Sequence, residues 1–438
     1  LSSRVRFLIL GVLLALIVAG CGVQESAYLG KWEGITENNH RVNLEIKEGG
    51  LAEISKIGVF PKHAVAWSFR RDRIDVFGKD GLILHLTITD GGLIDETGFK
   101  LHRPGPLAGF RFPALTAVIA MVVSLFLTPL VRRLAFRFGA VDDPKRDDRR
   151  VHKEPLPRWG GIAIHAGFIV AILSILPWAF PGRQPFPPYL LGIVGIGTLI
   201  LVVGVLDDLK QFSAKIQAVV LLLAGALITF FGKGDYSRVS ISGMNWPPFV
   251  DGSPWISFGY WAIPITAVYI FVVTKTMDTI DGIDGLASGI AAIGGLTLSL
   301  IATYEGQPRV ALVSAALAGA AVGFLKHNYN PSKIIMGTGG AQFLGFVLAT
   351  LSIVGAMKTA AALMVAIPVL VFGVPLFDAI QVVIRRKLSG VPITQADKRH
   401  IHHQLLEKGL TQRQAVLVLY AIAVILCALL VLAIKYYG

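Results

Sequence analysis

The chain has 438 residues, of which 54% are hydrophobic and 16% charged, with a mean hydropathy of +0.64. A soluble domain is about 25% charged, so this balance excludes an ordinary water-soluble fold and points to lipid. The net charge of +13 would suit either nucleic acid or a membrane surface, and its distribution along the chain decides between them.

Residues 1–21 read as a signal or lipoprotein-like segment. Arg4 and Arg6 precede an apolar stretch from Phe7 to Ala19, the order of a secretory signal. The stretch ends Val18-Ala19-Gly20-Cys21, a small-residue cleavage site followed by a thiol that could take lipid. An uncleaved anchor with an incidental cysteine is the plainer alternative. The second cysteine, Cys427, falls in the last apolar run, so no disulfide framework is implied.

Residues 22–105 change to a period of two. Val42-Asn43-Leu44-Glu45-Ile46 alternates, as does Leu82 to Ile88, and Gly49-Gly50, Lys79-Asp80-Gly81 and Asp90-Gly91-Gly92 punctuate the pattern as turns. This predicts a small antiparallel β-meander of six to eight strands. His40, His63, His85 and His102 are scattered through it, a spacing that suits solvated strand faces better than a metal site.

Residues 106–438 carry apolar runs of the length a helix needs to cross a bilayer. Ten are expected, near 112–131, 160–180, 189–206, 214–231, 255–273, 283–303, 310–325, 341–357, 359–384 and 415–436. The fold class is therefore an α-helical polytopic membrane protein of about ten transmembrane helices, with a small β-domain at its N-terminus. Basic residues concentrate in alternate connections: 132–158 holds nine Arg or Lys, from Arg132 to Arg158, and 385–413 holds seven, whereas 181–188 has only Arg183. The positive-inside rule places 132–158, 207–213, 274–282, 326–340 and 385–413 in the cytoplasm. Residues 22–105 then lie outside, where a signal segment would also send them. The positive charge is thereby accounted for by topology and anionic lipid, and no nucleic-acid partner is expected.

The polar clusters with chemical promise fall on that same cytoplasmic side. Asp207-Asp208 end an apolar run; adjacent carboxylates repel unless a cation joins them, and Mg²⁺ favours one or two carboxylates plus phosphate oxygens. Asp278, Asp281 and Asp284 follow the next cytoplasmic crossing. Asp281 and Asp284 are three apart and would share a face if helical, while Gly282 and Gly285 allow a ligand close to the backbone. Capping of a helix by Asp explains one acid better than three. Asp397-Lys398-Arg399-His400-Ile401-His402-His403 could clamp a diphosphate and exchange protons; its neighbouring cations and lack of thiols argue against zinc. The 132–158 connection holds Asp142-Asp143-Pro144, His152 and Arg158-Trp159-Gly160-Gly161, residues suited to phosphate contact or to a simple turn.

Together these motifs resemble the polyprenyl-phosphate N-acetylhexosamine-1-phosphate transferase family over about residues 112–430. The resemblance is carried by Val141-Asp142, His152 and Pro157 to Gly161, by Asp207-Asp208, and by Asp281-Gly282-Ile283-Asp284-Gly285-Leu286. It continues in Asn328-Tyr329-Asn330-Pro331, Met336-Gly337 and Ala396 to His403. The spaced His-Ile-His-His resembles the N-acetylglucosamine branch. The resemblance implies an enzyme of the bacterial plasma membrane with a cytoplasmic active site. The phosphate of undecaprenyl phosphate would attack a UDP-N-acetylhexosamine, releasing UMP and leaving a lipid-diphosphate-sugar that opens a cell-envelope glycan pathway. Asp207 and Asp208 would be catalytic, orienting or deprotonating the lipid phosphate. With Asp281 and Asp284 they would hold Mg²⁺, or Mn²⁺ in its place. His152, Arg158, Asp278, Asn328, Asn330, His400, His402 and His403 would contact substrate, and two copies could pair as a homodimer.

The chain departs from the family pattern at three positions. Lys275 and Asp278 stand where asparagines are usual, and Thr338 replaces an acid after Met336-Gly337. Asp278 is accordingly expected to supply part of the charge missing at 338. Three rival readings remain: a transporter, whose acids would sit nearer the bilayer midplane; an anchored binding module working through its exported β-domain; and a catalytically altered family member.

Overall fold

The computed structural model describes residues 30–35, 41–46, 51–56, 63–70, 73–78, 81–89, 92–95, 100–101, 110–142, 155–180, 186–232, 239–245, 255–304, 307–356, 371–388 and 400–437. The backbone separates into two units, 1–108 and 109–438.

In the first unit, eight strands follow one another in a single antiparallel sheet of order β1 to β8. They are β1 (Gly30–Ile35), β2 (Arg41–Ile46), β3 (Leu51–Lys56), β4 (His63–Arg70), β5 (Arg73–Gly78), β6 (Gly81–Thr89), β7 (Gly92–Asp95) and β8 (Lys100–Leu101). Each strand pairs with the one before it, as a meander requires, and the β5–β6 register shifts at Val76/Phe77. The segment 1–21 lies outside the described residues.

The second unit is helical: α1 (Arg111–Arg137), α2 (Gly160–Ala179), α3 (Pro188–Lys210), α4 (Ala214–Leu227), α5 (Ala262–Ile280), α6 (Leu286–Tyr304), α7 (Pro308–Asn328), α8 (Gly337–Ala356), α9 (Gly373–Leu388), α10 (Ile401–Glu407) and α11 (Gln412–Tyr437). Among the described residues eight helices are long and apolar enough to span a bilayer, so the protein is a polytopic membrane protein. Two of the ten expected spans differ. The run at 214–231 forms α4 and a short 3-10 turn, Ile228–Phe230, a shorter apolar segment than the eight. The run at 359–384 is described only in its second part, where α9 offers a short apolar stretch, Gly373–Val382.

Helix α8 is the axis of the bundle. Its apolar window is 94% buried against 28% for α1, and it packs on α2, α3, α5, α6 and α7. Small residues make this possible, as lipid-embedded helices associate through close van der Waals contact. A Cβ on Gly204 of α3 would lie 2.2 Å from the Gly339 Cα of α8, so the two backbones touch there, one turn before Asp207-Asp208.

Candidate active site

Three chain segments meet at one end of α3, α5 and α8. The first is the last turn of α3, which carries Asp207 and Asp208, both buried. It ends at Gln211 in a left-handed conformation, φ 53°, and the Gln211 N–H donates to the Asp207 carbonyl at 2.7 Å. The two carboxylates differ in their engagement. Asp207 accepts from the Phe212 N–H at 2.6 Å and from Gln217 Nε2 at 3.0 Å. Asp208 Oδ1 accepts from the Thr338 N–H at 3.1 Å and faces Arg158 Nε at 3.5 Å, while Oδ2 is buried with no hydrogen-bond partner.

The second segment is the turn between α5 and α6. The sequence reading put Asp281 and Asp284 on a helical face; instead α5 stops at Ile280, Asp281 caps it, and residues 281–285 form turns. The glycines are the physical reason: Gly285 adopts φ +84°, which an L side chain resists. Asp284 Oδ2 accepts from Asn330 Nδ2 at 2.9 Å and from the Ser332 N–H at 3.1 Å. Asp281 has no hydrogen-bond donor among the described residues. Its carboxyl titrates well above the ordinary carboxylate range. Burial is the largest cause, the Asp278, Asp208 and Asp284 carboxylates push the same way, and Arg158 opposes them. Four acids and one guanidinium therefore share a single field.

The third segment joins 156–161 to 335–338. Val141-Asp142 pairs with Leu156-Pro157, the Ile335 N–H donates to the Pro157 carbonyl, and the N–H groups of Gly160 and Gly161 donate to Ile335 and Met336. This stitching carries Arg158 between Asp208 and Asp142, whose Oδ1 lies 3.6 Å from Arg158 Nη1. Gly337, at φ +75°, closes the cradle: a Cβ there would fall 2.4 Å from Asp208 Oδ2.

Of the remaining expected contacts, Asp278 sits on the last turn of α5 and pairs with Lys275 at 2.6 Å. Asn328 is buried: its oxygen accepts from the Gly285 N–H and the Ser288 hydroxyl, and its amide donates to the Ile334 carbonyl. It braces the 281–285 turn and leaves no face for a substrate. Asn330 bridges Asp284 to Gln412 Oε1 of α11. His400 Nδ1 lies 2.8 Å from Asp378 Oδ2. The backbone of His402 and His403 lies in α10, while their side chains, and all of His152, lie outside the described residues.

Sequence reasoning missed three participants. Asp378, buried on α9, holds His400 and caps α10 through the Ile401 N–H at 2.7 Å; a lone acid inside an apolar run was the available signal. Gln217 and Gln342 reach the acids from α4 and α8, and single glutamines leave no linear signature.

The donors fit an oxygen-seeking cation. They are carboxylates, without thiols, and the orphaned Asp208 Oδ2 together with Asp281 would supply the one or two protein oxygens that Mg²⁺ takes beside water and phosphate. Among the described residues no group of three His, Cys, Asp or Glu side chains is arranged to hold a metal ion by itself.

Residues 190–356 match the family model described as glycosyl transferase family 4, a span that holds Asp207, Asp208, Asp278, Asp281 and Asp284 but not Asp142 or Asp378. A Bacillus subtilis (strain 168) protein, named a probable undecaprenyl-phosphate N-acetylglucosaminyl 1-phosphate transferase, is 34% identical over 310 residues, 70% of this chain and 81% of that protein. A Mycolicibacterium smegmatis protein, named decaprenyl-phosphate N-acetylglucosaminephosphotransferase, is 31% identical over 75% of this chain and 84% of its own. The Escherichia coli (strain K12) undecaprenyl-phosphate alpha-N-acetylglucosaminyl 1-phosphate transferase is 26% identical over 72% and 82%. The chain belongs to the glycosyl transferase family 4 of membrane-embedded polyprenyl-phosphate sugar-phosphate transferases.

Proposed function

We propose that the chain transfers N-acetylglucosamine-1-phosphate from UDP-N-acetylglucosamine to undecaprenyl phosphate, releasing UMP. The supporting observation is the Asp281 carboxyl, which lies in the field of Asp278, Asp208, Asp284 and Arg158 drawn from three separate segments. Buried like charges are costly unless a cation or phosphate-bound metal joins them, and phosphoryl transfer needs positioning and charge neutralisation above all.

Mg²⁺, held by Asp208 and Asp281, would offset the charge of the reacting phosphates. Arg158, fixed between Asp142 and Asp208, presents a guanidinium beside the same oxygens and orients an incoming phosphate. Asp208, its Oδ1 held by Thr338, aims Oδ2 into the cradle, where it can orient or take a proton from the lipid phosphate. That phosphate oxygen bonds to the sugar-bearing β-phosphorus, the bond to the bridging oxygen breaks, and UMP leaves with the electron pair. Asp284, already bonded to Asn330 and Ser332, holds the turn in shape. His400, steadied by Asp378, would contact the diphosphate together with His402 and His403.

By the positive-inside rule the basic connections favour the cytoplasm for this end of the bundle, where the nucleotide is. Residues 22–105 would then lie outside the cell membrane, behind a lipoprotein-like segment. The test is exchange of labelled UMP into UDP-N-acetylglucosamine by membranes holding the protein, undecaprenyl phosphate and Mg²⁺. Exchange that requires all three supports the reading; none above protein-free membranes refutes it.

A further inference from the structure

We propose that Lys275 is a positioning residue for Asp207, acting through the side-chain amide of Gln217; the inference rests on the transferase reading above. Lys275 lies on α5, Gln217 on α4 and Asp207 at the end of α3. Lys275 Nζ is 2.8 Å from Gln217 Oε1 and 2.6 Å from Asp278 Oδ2. Gln217 Nε2 is 3.0 Å from Asp207 Oδ2.

The polarity of this chain of bonds is fixed at both ends. An ammonium only donates and an ionised carboxylate only accepts, so the amide between them has one acceptable orientation. Rotating it by half a turn would set NH₂ against NH₃⁺ and oxygen against carboxylate. Lys275 therefore selects the rotamer of Gln217, and Gln217 selects the plane of the Asp207 carboxylate. The other oxygen of Asp207 is already held by the Phe212 N–H at 2.6 Å. With both oxygens committed, the last turn of α3 is locked, and Asp208, its next residue, is set facing Thr338 and Arg158.

The same ammonium pairs directly with Asp278, which adjoins Asp281 in space and charge. Gln342 Nε2 approaches that Asp278 oxygen at 3.5 Å from α8. One cation on α5 thus serves two acids on two helices, and it does so without contact to the reacting atoms.

Full-length wild-type protein and five variants, reconstituted with undecaprenyl phosphate and Mg²⁺, would be compared by UMP-exchange kinetics. Lys275→Met and Gln217→Leu should each lower kcat about tenfold, with KM for the sugar nucleotide moving less than about threefold, because geometry and not ground-state binding is lost. Acting in series, the double variant should be no worse than the poorer single one. Gln217→Glu keeps the size and the Lys275 contact but turns an acceptor toward Asp207, and should match Gln217→Leu. Lys275→Arg, still a donor-only cation, should keep at least about a third of wild-type kcat, which guards against a trivial folding defect in Lys275→Met. Losses that multiply in the double variant, a Gln217→Glu enzyme equal to wild type, Lys275→Met within about twofold of wild type, or Lys275→Arg as poor as Lys275→Met would each overturn the inference. A wild-type protein that exchanges no UMP would overturn the transferase reading and this inference with it.

Discussion

The acids of this site fall into two groups by what already holds them. Asp207, Asp278 and Asp284 accept bonds from Phe212 and Gln217, from Lys275, and from Asn330 and Ser332. Asp208 and Asp281 are the less satisfied pair: one has a buried oxygen without a partner, the other has no donor among the described residues. The difference teaches that a run of conspicuous carboxylates need not share one task. Those saturated by the protein build the frame, and those left open are where a cation and phosphate can enter.

The sharpest way to break this division is to neutralise one acid from each group. Asp208→Asn and Asp281→Asn should lower UMP exchange by about a hundredfold or more, the scale of losing a group aimed at developing charge, with protein yield unchanged. Asp284→Asn should cost less activity, about tenfold, but should lower the melting temperature, because it weakens two bonds to a carboxylate worth about 1.5–3 kcal/mol each. If all three variants behave alike in both measurements, the division fails.

Asp378→Ala tests the periphery of the frame. It removes the partner of His400 Nδ1 and the cap of α10 together; a cap alone is worth about 1 kcal/mol, and a fall in kcat of about tenfold would follow from misorienting the histidine. Unchanged kcat would detach His400 from the site.

Asp281 adds a smaller, pH-dependent effect. Its folded-state affinity for a proton is raised above that of the unfolded chain. Between those two values the folded state holds the extra proton, so stability falls as pH rises. Without divalent cation, the melting temperature should decline from mildly acidic toward neutral pH, less so in Asp281→Asn. Added Mg²⁺ should oppose the decline, since a metal takes the deprotonated carboxylate. A flat wild-type profile would argue against the crowded setting of this acid.

Much of this was legible in the sequence because membrane helices and acidic motifs are local signals. Apolar runs marked α1 to α3, α6 to α8 and α11, and Asp207-Asp208 at the end of a run marked the site. What failed to be legible depended on space. The stretch 214–231 is mostly apolar despite Lys215 and Gln217, and its helix passes at Ile228 into a 3-10 turn. The helical pairing of Asp281 with Asp284 was read from spacing, and the left-handed Gly285 cancelled it. Asn328 carries the same amide whether it braces a turn or binds a sugar, and only its buried partners separate the two. Lys275 and Asp278 read as isolated departures, whereas in space they form a pair.

The most direct test of the central claim is UMP exchange by wild type, Asp208→Asn and Asp207→Asn side by side, in membranes with undecaprenyl phosphate, over a Mg²⁺ titration. The account predicts wild-type exchange that needs Mg²⁺, Asp208→Asn lowered by about a hundredfold or more at every Mg²⁺ concentration, and Asp207→Asn lowered by about tenfold with its Mg²⁺ requirement little changed. Exchange by Asp208→Asn at the wild-type rate, or by wild type in chelator, would contradict it.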